Sequence, residues 1–97
     1  MRIKNINGTS EREPSGYKSW QDFWEKKTGL KAENDVGGHV KKVDSQDNTW
    51  HIADITYAQN NLSEPYDYNS ELAKLYDYAP EDIKYVKGVD GFYKPEM

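Results

Sequence analysis

The sequence contains no cysteine. That excludes disulfides, thiolate-ligated zinc, iron–sulfur clusters and thiol nucleophiles together. It also has no apolar run approaching the roughly 20 residues of a membrane-spanning helix. Met1–Ile6 lacks the hydrophobic region of a signal peptide. Asn7-Gly8-Thr9 and Asn61-Leu62-Ser63 match the glycosylation sequon, but without a secretory signal both read as chance. The expected location is the cytoplasm. A basic surplus is missing too: 13 Lys/Arg against 17 Asp/Glu leave −4, which suits poorly a protein that wraps a phosphate backbone. Apolar residues make up only 35% of 97 residues, against 31% charged, so a single domain with a small core is expected. Domains of this size often carry a staple, and disulfides are not on offer.

What is present is unevenly spread. Residues 1–50 hold nine Lys/Arg and eight Asp/Glu, whereas residues 51–97 hold four and nine. Seven of the eight tyrosines lie from Tyr57 onward, interleaved with that acidic excess. Residues 7–18 are turn-formers and charges, which predicts an irregular N-terminal segment. Ser19 is placed to cap a helix, with Asp22 three residues on. Trp20, Phe23, Trp24 and Lys27 follow at helical spacing and put three aromatics on one face. Gly29 ends this helix, behind Lys26 and Lys27, which suit the negative end of the helix dipole. Such an aromatic stripe is more often core than a ligand-stacking box.

Gly37-Gly38 opens a second unit. His39–Asp44 suits a strand, Ser45–Asn48 a turn, and Thr49–Ile55 a second strand with Trp50, Ile52 and Asp54 on one side. Thr56–Leu62 then reads as a short helix with Thr56 or Asp54 as its cap, giving strand, turn, strand, helix. After Pro65, Asn69 or Ser70 is placed to cap a helix carrying Leu72, Leu75 and Tyr76, and Pro80 to open another over Glu81–Val86. Val86–Tyr93 is turn-rich and is expected to dock through Phe92. The expected fold is α+β: one domain over residues 1–97, with an N-terminal aromatic helix, a ββα unit over 37–62 and a tyrosine-rich, acidic helical part over 63–97.

The stretch Gly37-Gly38-His39-Val40, a polar turn, then Trp50-x-Ile52-x-x-Ile55-Thr56-x-x-Gln59-Asn60-Asn61-Leu62 resembles small bacterial and phage proteins with an HNH-like, zinc-binding ββα core. The segment Asn5–Ser10 followed by Ser19-Trp20-x-x-x-Trp24 resembles that family's N-terminus, and the likeness covers roughly residues 5–62. It implies a Cys at the position of Thr56 and a His at that of Gln59, as a zinc half-site at the start of the helix, with a Cys pair near Ser15 and Tyr17. None of these residues is a good zinc ligand, and a structural zinc needs four. The resemblance therefore implies a degenerate, metal-free member, and no cofactor is expected. Trp20, Trp24 and Trp50 are expected to form one cluster in the metal's place, with Tyr17 and Thr56 filling the emptied site.

His39 aligns with the residue that acts as general base in HNH nucleases, and Asn60 or Asn61 with the middle Asn. Such chemistry needs the base beside a metal that polarises the phosphate, and Gln59 replaces the metal-side His. A bland hydrogen-bonding role for His39 outweighs a catalytic one. Joining His39 and His51 with Asp44, Asp47 or Asp54 would give another metal site, but in a tight hairpin the two histidines are expected at opposite ends.

Two functions from different classes follow. The favoured one is a non-catalytic protein-binding module, in the manner of a phage inhibitor that occupies the basic, nucleic-acid-binding surface of a target. Tyr66, Asp67, Tyr68, Tyr76, Asp77, Tyr78, Glu81, Asp82 and Tyr85 would supply the contacts. Direct nucleic-acid or membrane binding is not expected of it, and its place would be the host cytoplasm. The alternative is an HNH-like nuclease or nucleic-acid-binding protein that keeps His39 as general base, with Asn60 as its other candidate residue.

Overall fold

A computed structural model describes residues 1–7, 14, 16–44, 46 and 49–75, together with the backbone of 85–87 and 93–95. The elements run β1 (Arg2–Asn5), α1 (Trp20–Thr28), β2 (Val36–Lys42), β3 (His51–Ile55), α2 (Tyr57–Asn60), β4 (Tyr66–Asp67), β5 (Ala73–Lys74), β6 (Tyr85–Lys87) and β7 (Tyr93–Pro95). The first five strands form one antiparallel sheet in the order β4-β1-β2-β3-β5, and β6 pairs with β7 in a separate two-stranded sheet. The domain is thus a small α+β fold, with two short helices among the described residues.

Helix α1 forms as its sequence predicts. The Ser19 hydroxyl accepts from the Asp22 N–H at 3.1 Å, and Gly29 closes the helix in the left-handed region at φ 75°. Asp22 does not complete a capping box; its carboxylate accepts instead from the Lys18 N–H at 3.1 Å and lies 3.6 Å from Lys26. The hairpin is also present, but β2 begins at Val36 and runs through both glycines instead of starting after them. The reason is steric. A Cβ at Gly37 would stand 2.5 Å from the Trp20 carbonyl carbon, and one at Gly38 would collide with the Ile55 side chain. The glycines let α1 and Ile55 lie directly on the strand.

Register decides which side chain faces where. Val40 opposes His51, His39 opposes Ile52, and Gly37 opposes Asp54. Ile52 and Asp54, with Trp50 just ahead of them, therefore share one face, as expected, along with His39. Ile3, Val40, His51, Ala53 and Ile55 point to the other. On the first face Phe23 and Trp24 of α1 pack on Ile52, Ala73 and Leu75, with Tyr17, Trp20, Ala32 and Trp50 around them. On the second, Ile3, Val40, Ala53, Ile55 and Tyr68 are buried, joined by Val36, Tyr66 and Leu72. All five residues of β3 are buried because both of its faces are covered.

Several expectations need correction. Trp20, Trp24 and Trp50 do gather with Tyr17, but Thr56 lies outside that cluster, at the head of α2. No helix starts at Asn69 or Ser70. Ala73 and Lys74 extend the sheet beside Ile52 and His51, and the Leu75 N–H donates to the Trp50 carbonyl at 3.0 Å. Leu72 and Leu75 carry helical spacing, yet the open edge of β3 offers backbone partners that outweigh it. Tyr85 and Val86 lie in a strand, not at the end of a helix; residues 81–84, and Phe92, fall outside the described residues. His39 and His51 are not at opposite ends of the hairpin. Their register positions adjoin, and they are kept apart by facing opposite sides of the sheet.

Candidate functional site

The ββα unit of β2, β3 and α2 is where the sequence places its chemistry. Helix α2 is a single turn, too short to persist on propensity. Its start is a complete capping box: the Thr56 hydroxyl accepts from the Gln59 N–H at 3.1 Å, and the Gln59 side chain accepts from the Thr56 N–H at 2.9 Å. The Tyr57 N–H donates to Asp35 at 3.0 Å, engaging another otherwise orphaned donor. Thr56 and Gln59, where the resemblance puts two zinc ligands, are thus consumed in capping the start of a helix. Tyr17, near the implied Cys pair, packs edge-on against Phe23 with ring centres 5.1 Å apart. Ser15 lies outside the described residues. The residues present do not fit a structural zinc, and no cluster of three or more His, Cys, Asp or Glu able to hold a metal occurs among the described residues.

The exit of α2 is tied to β1. The Asn5 amide donates to the Gln59 carbonyl at 2.7 Å and the Leu62 carbonyl at 2.9 Å, while its Oδ1 accepts from the Tyr66 hydroxyl at 2.8 Å. One side chain therefore ties β1 to two segments more than 50 residues further along the sequence. Burial, with the neighbouring Tyr68 second, pushes the Tyr66 phenol up to about 12.

His39 is buried on the α1 face, its ring edge-on to Trp20 at 4.7 Å between centres. Asn60 belongs to the other face: a Cβ at Gly38 would lie 3.1 Å from its Oδ1. The sheet separates the two residues named for the nuclease alternative. His39 instead fills space beside Trp20, and its carbonyl accepts from the Ile6 N–H at 2.9 Å.

Asp54, which the sequence offers as a helix cap or a metal ligand, is neither; Thr56 is the cap, and Asp54 is a polar centre of the fold. It is buried, and its carboxylate accepts from the Gln21 amide at 3.0 Å, from the Glu33 N–H at 2.8 Å, from the Asn34 N–H at 3.2 Å and from the Asn34 amide at 3.3 Å. It clamps the loop between α1 and β2 to the sheet, and its acceptors are engaged in the fold. A carboxylate in mid-strand among Ile, Ala and Ile was the only hint. A cavity of about 300 Å³ beside it is bordered by Trp24, Leu30, Lys31 and Ser70. A second, of about 250 Å³, lies at the head of α1 beside Ser19, Trp20, Asp35 and Gly37.

The proposed binding residues divide. Tyr68 is buried: its hydroxyl accepts from the Asp54 N–H at 3.0 Å and donates to the Glu71 carbonyl at 3.4 Å, so it seals the edge of β3 beyond β5. Burial raises its phenol above the usual value. Tyr66 is half-buried beside it, and both serve the core. Asp67 is exposed, 4.0 Å from Arg2. Tyr76, Asp77, Tyr78, Glu81 and Asp82 lie outside the described residues, and of Tyr85 only the backbone is described. Tyr57, which the sequence reading did not single out, is 61% exposed on α2. No helix among the described residues is long and apolar enough to cross a membrane. No protein-family model matches the chain, and no curated protein or solved structure is significantly similar to it.

Proposed function

We propose that this domain is a non-catalytic protein-binding module on an HNH-like ββα scaffold whose ligand positions have become structural. The observation that carries this reading is the fate of its chemical positions. Thr56 and Gln59 close a capping box, and His39 and Asn60 stand on opposite faces of the sheet. A general base must reach its proton directly or through one water, and this arrangement gives the two no common site. What remains for recognition is the acidic, tyrosine-rich second half. Tyr66 and Tyr68 are engaged in the core, so the contact set narrows to Asp67, Tyr76, Asp77, Tyr78, Glu81, Asp82 and Tyr85, with Tyr57 as an addition. Carboxylates steer association toward a basic surface, and tyrosines supply contact area at low entropic cost. A nucleic-acid-binding protein, inhibited by occupation of its basic site, is the partner class this composition fits.

Two experiments test the reading. Affinity capture from the native host should enrich a basic nucleic-acid-binding protein with the wild type and lose it with Tyr76→Ala/Tyr78→Ala; equal capture by both overturns the assigned contacts. Plasmid incubated with magnesium, manganese or zinc should remain intact. Cleavage by the wild type that His39→Ala abolishes would replace the proposal with the nuclease alternative.

A further inference from the structure

We propose that the end of the sheet left uncovered by α1, carrying Arg2, Lys4 and Lys41, is a docking surface for an extended acidic segment of a protein partner. This goes beyond the function above and does not rest on it, since it concerns the opposite charge on another part of the chain.

Helix α1 packs across β2, β3 and β5. Strands alternate their side chains, so Arg2 and Lys4 of β1 point to the α1 side of the sheet, away from Ile3 and Asn5. Lys41 is the register partner of Lys4 and shares that side. All three cations are exposed. Neither Lys4 nor Lys41 has an ion-pair partner among the described residues, and Arg2 has only the long contact with Asp67. Like charges directly opposite in a sheet oppose folding, so this placement costs the fold stability that an anionic ligand would return.

The spacing selects the ligand. Residues i and i+2 of a strand lie about 7 Å apart on one face, and directly paired residues about 5 Å apart. Carboxylates at alternate positions of an extended peptide repeat at that same interval of about 7 Å and meet Arg2 and Lys4 in register, with Lys41 alongside. Val43, which follows β2 across from Arg2, is 38% exposed and offers an aliphatic contact. Single-stranded nucleic acid has a similar charge spacing, but its sites combine a basic groove with aromatic platforms. Here the neighbouring aromatic, Trp20, is engaged edge-on with Phe23 and His39 and offers no stacking platform.

The test is fluorescence anisotropy at low salt with a labelled peptide of about a dozen alternating Asp and Thr residues, added to the full chain. Saturable binding is expected, weakening steeply as salt rises. Lys4→Ala/Lys41→Ala should weaken it at least tenfold. Melting is the control that separates binding from folding: removing the paired cations should leave the midpoint unchanged or raise it. Lys4→Glu, which makes an opposite-charge pair with Lys41, should raise the midpoint while also weakening the peptide. No saturable binding, an unchanged affinity in the double variant, or tighter binding of a thymidine oligonucleotide of equal charge would each overturn the proposal.

Discussion

On the α1 face of the sheet, Phe23 and Trp24 meet Ile52, Ala73 and Leu75, with Tyr17, Trp20 and Trp50 at the rim; on the opposite face, Ile3, Val40, Ala53 and Ile55 meet Tyr68. The first is aromatic and is assembled largely by one helix whose boundaries are set locally. The second is mostly aliphatic and is completed by segments that single polar side chains tie down: Asn5 to α2 and Tyr66, and the Tyr68 hydroxyl to the edge of β3. Area dominates one face, and connectivity matters as much as area on the other. The ββα helix belongs to the connected face and His39 to the aromatic one, so the sheet stands between His39 and Asn60.

If the aromatic face holds most of the area, its centre should be the most sensitive point in the molecule. Trp24 is 2% exposed and donates from Nε1 to the Glu71 carbonyl at 2.9 Å. Truncation of such a residue to Ala costs about 3–5 kcal/mol, much of the total stability of a small domain. Trp24→Ala should abolish the cooperative thermal transition seen by circular dichroism. Trp50, only partly buried, should be more tolerant. Near wild-type melting of Trp24→Ala would show that the connected face holds the fold by itself.

The contact between α1 and β2 comes next. Gly37→Ala pushes a methyl group into the backbone of Trp20 and Gln21, which cannot swing aside as a side chain would. Overpacking of this kind costs about 1–3 kcal/mol, or roughly 4–8 °C per kcal/mol in a domain of this size. An unchanged midpoint would mean that the helix can slide on the strand. On the connected face, Thr56→Ala removes the cap of α2 at about 1 kcal/mol. Its signature should be faster amide exchange at Gln59 with little change in the indole fluorescence of the aromatic face. A matching change in that fluorescence would show that the faces are coupled more tightly than their contacts imply.

The smallest effect is expected at Tyr66. Its phenol is shifted up to about 12, above the ordinary value of 10.0, so the protonated form is favoured in the folded state. The stabilisation this represents is complete below pH 10 and is lost as pH rises through about 12. An ultraviolet titration should show a late phenol that Tyr66→Phe removes, and the same variant should lose the hydrogen bond to Asn5, about 1 kcal/mol. Loss of no late phenol would mean that Tyr66 stands open to solvent.

Much of the aromatic face was legible in the sequence because its signals are local. Ser19, the Trp20/Phe23/Trp24 spacing and Gly29 define α1 with no knowledge of its surroundings. Thr56 marks the start of α2 in the same way, although at Gln59 the resemblance directed attention to metal chemistry and away from its half of the capping box. The connected face was less legible because its determinants are distant. Nothing local distinguishes Ala73-Lys74 as a strand until β3 presents an edge, and Leu72 with Leu75 favours a helix until then. Asn5 looks like any polar residue until α2 and Tyr66 come within reach. Gly37 and Gly38 read as a boundary because the helix and the side chain that require them belong to other parts of the chain.

The central claim is that the ββα unit stands on packing and capping, with its ligand positions made structural. Thermal melting of the wild type in chelator and in about 100 μM zinc tests this most directly. A site with a dissociation constant near 1 μM would add about 2.7 kcal/mol at that concentration, a shift of many degrees in a domain of this size. The account predicts coincident transitions. A midpoint that zinc raises, and chelator returns, would contradict it.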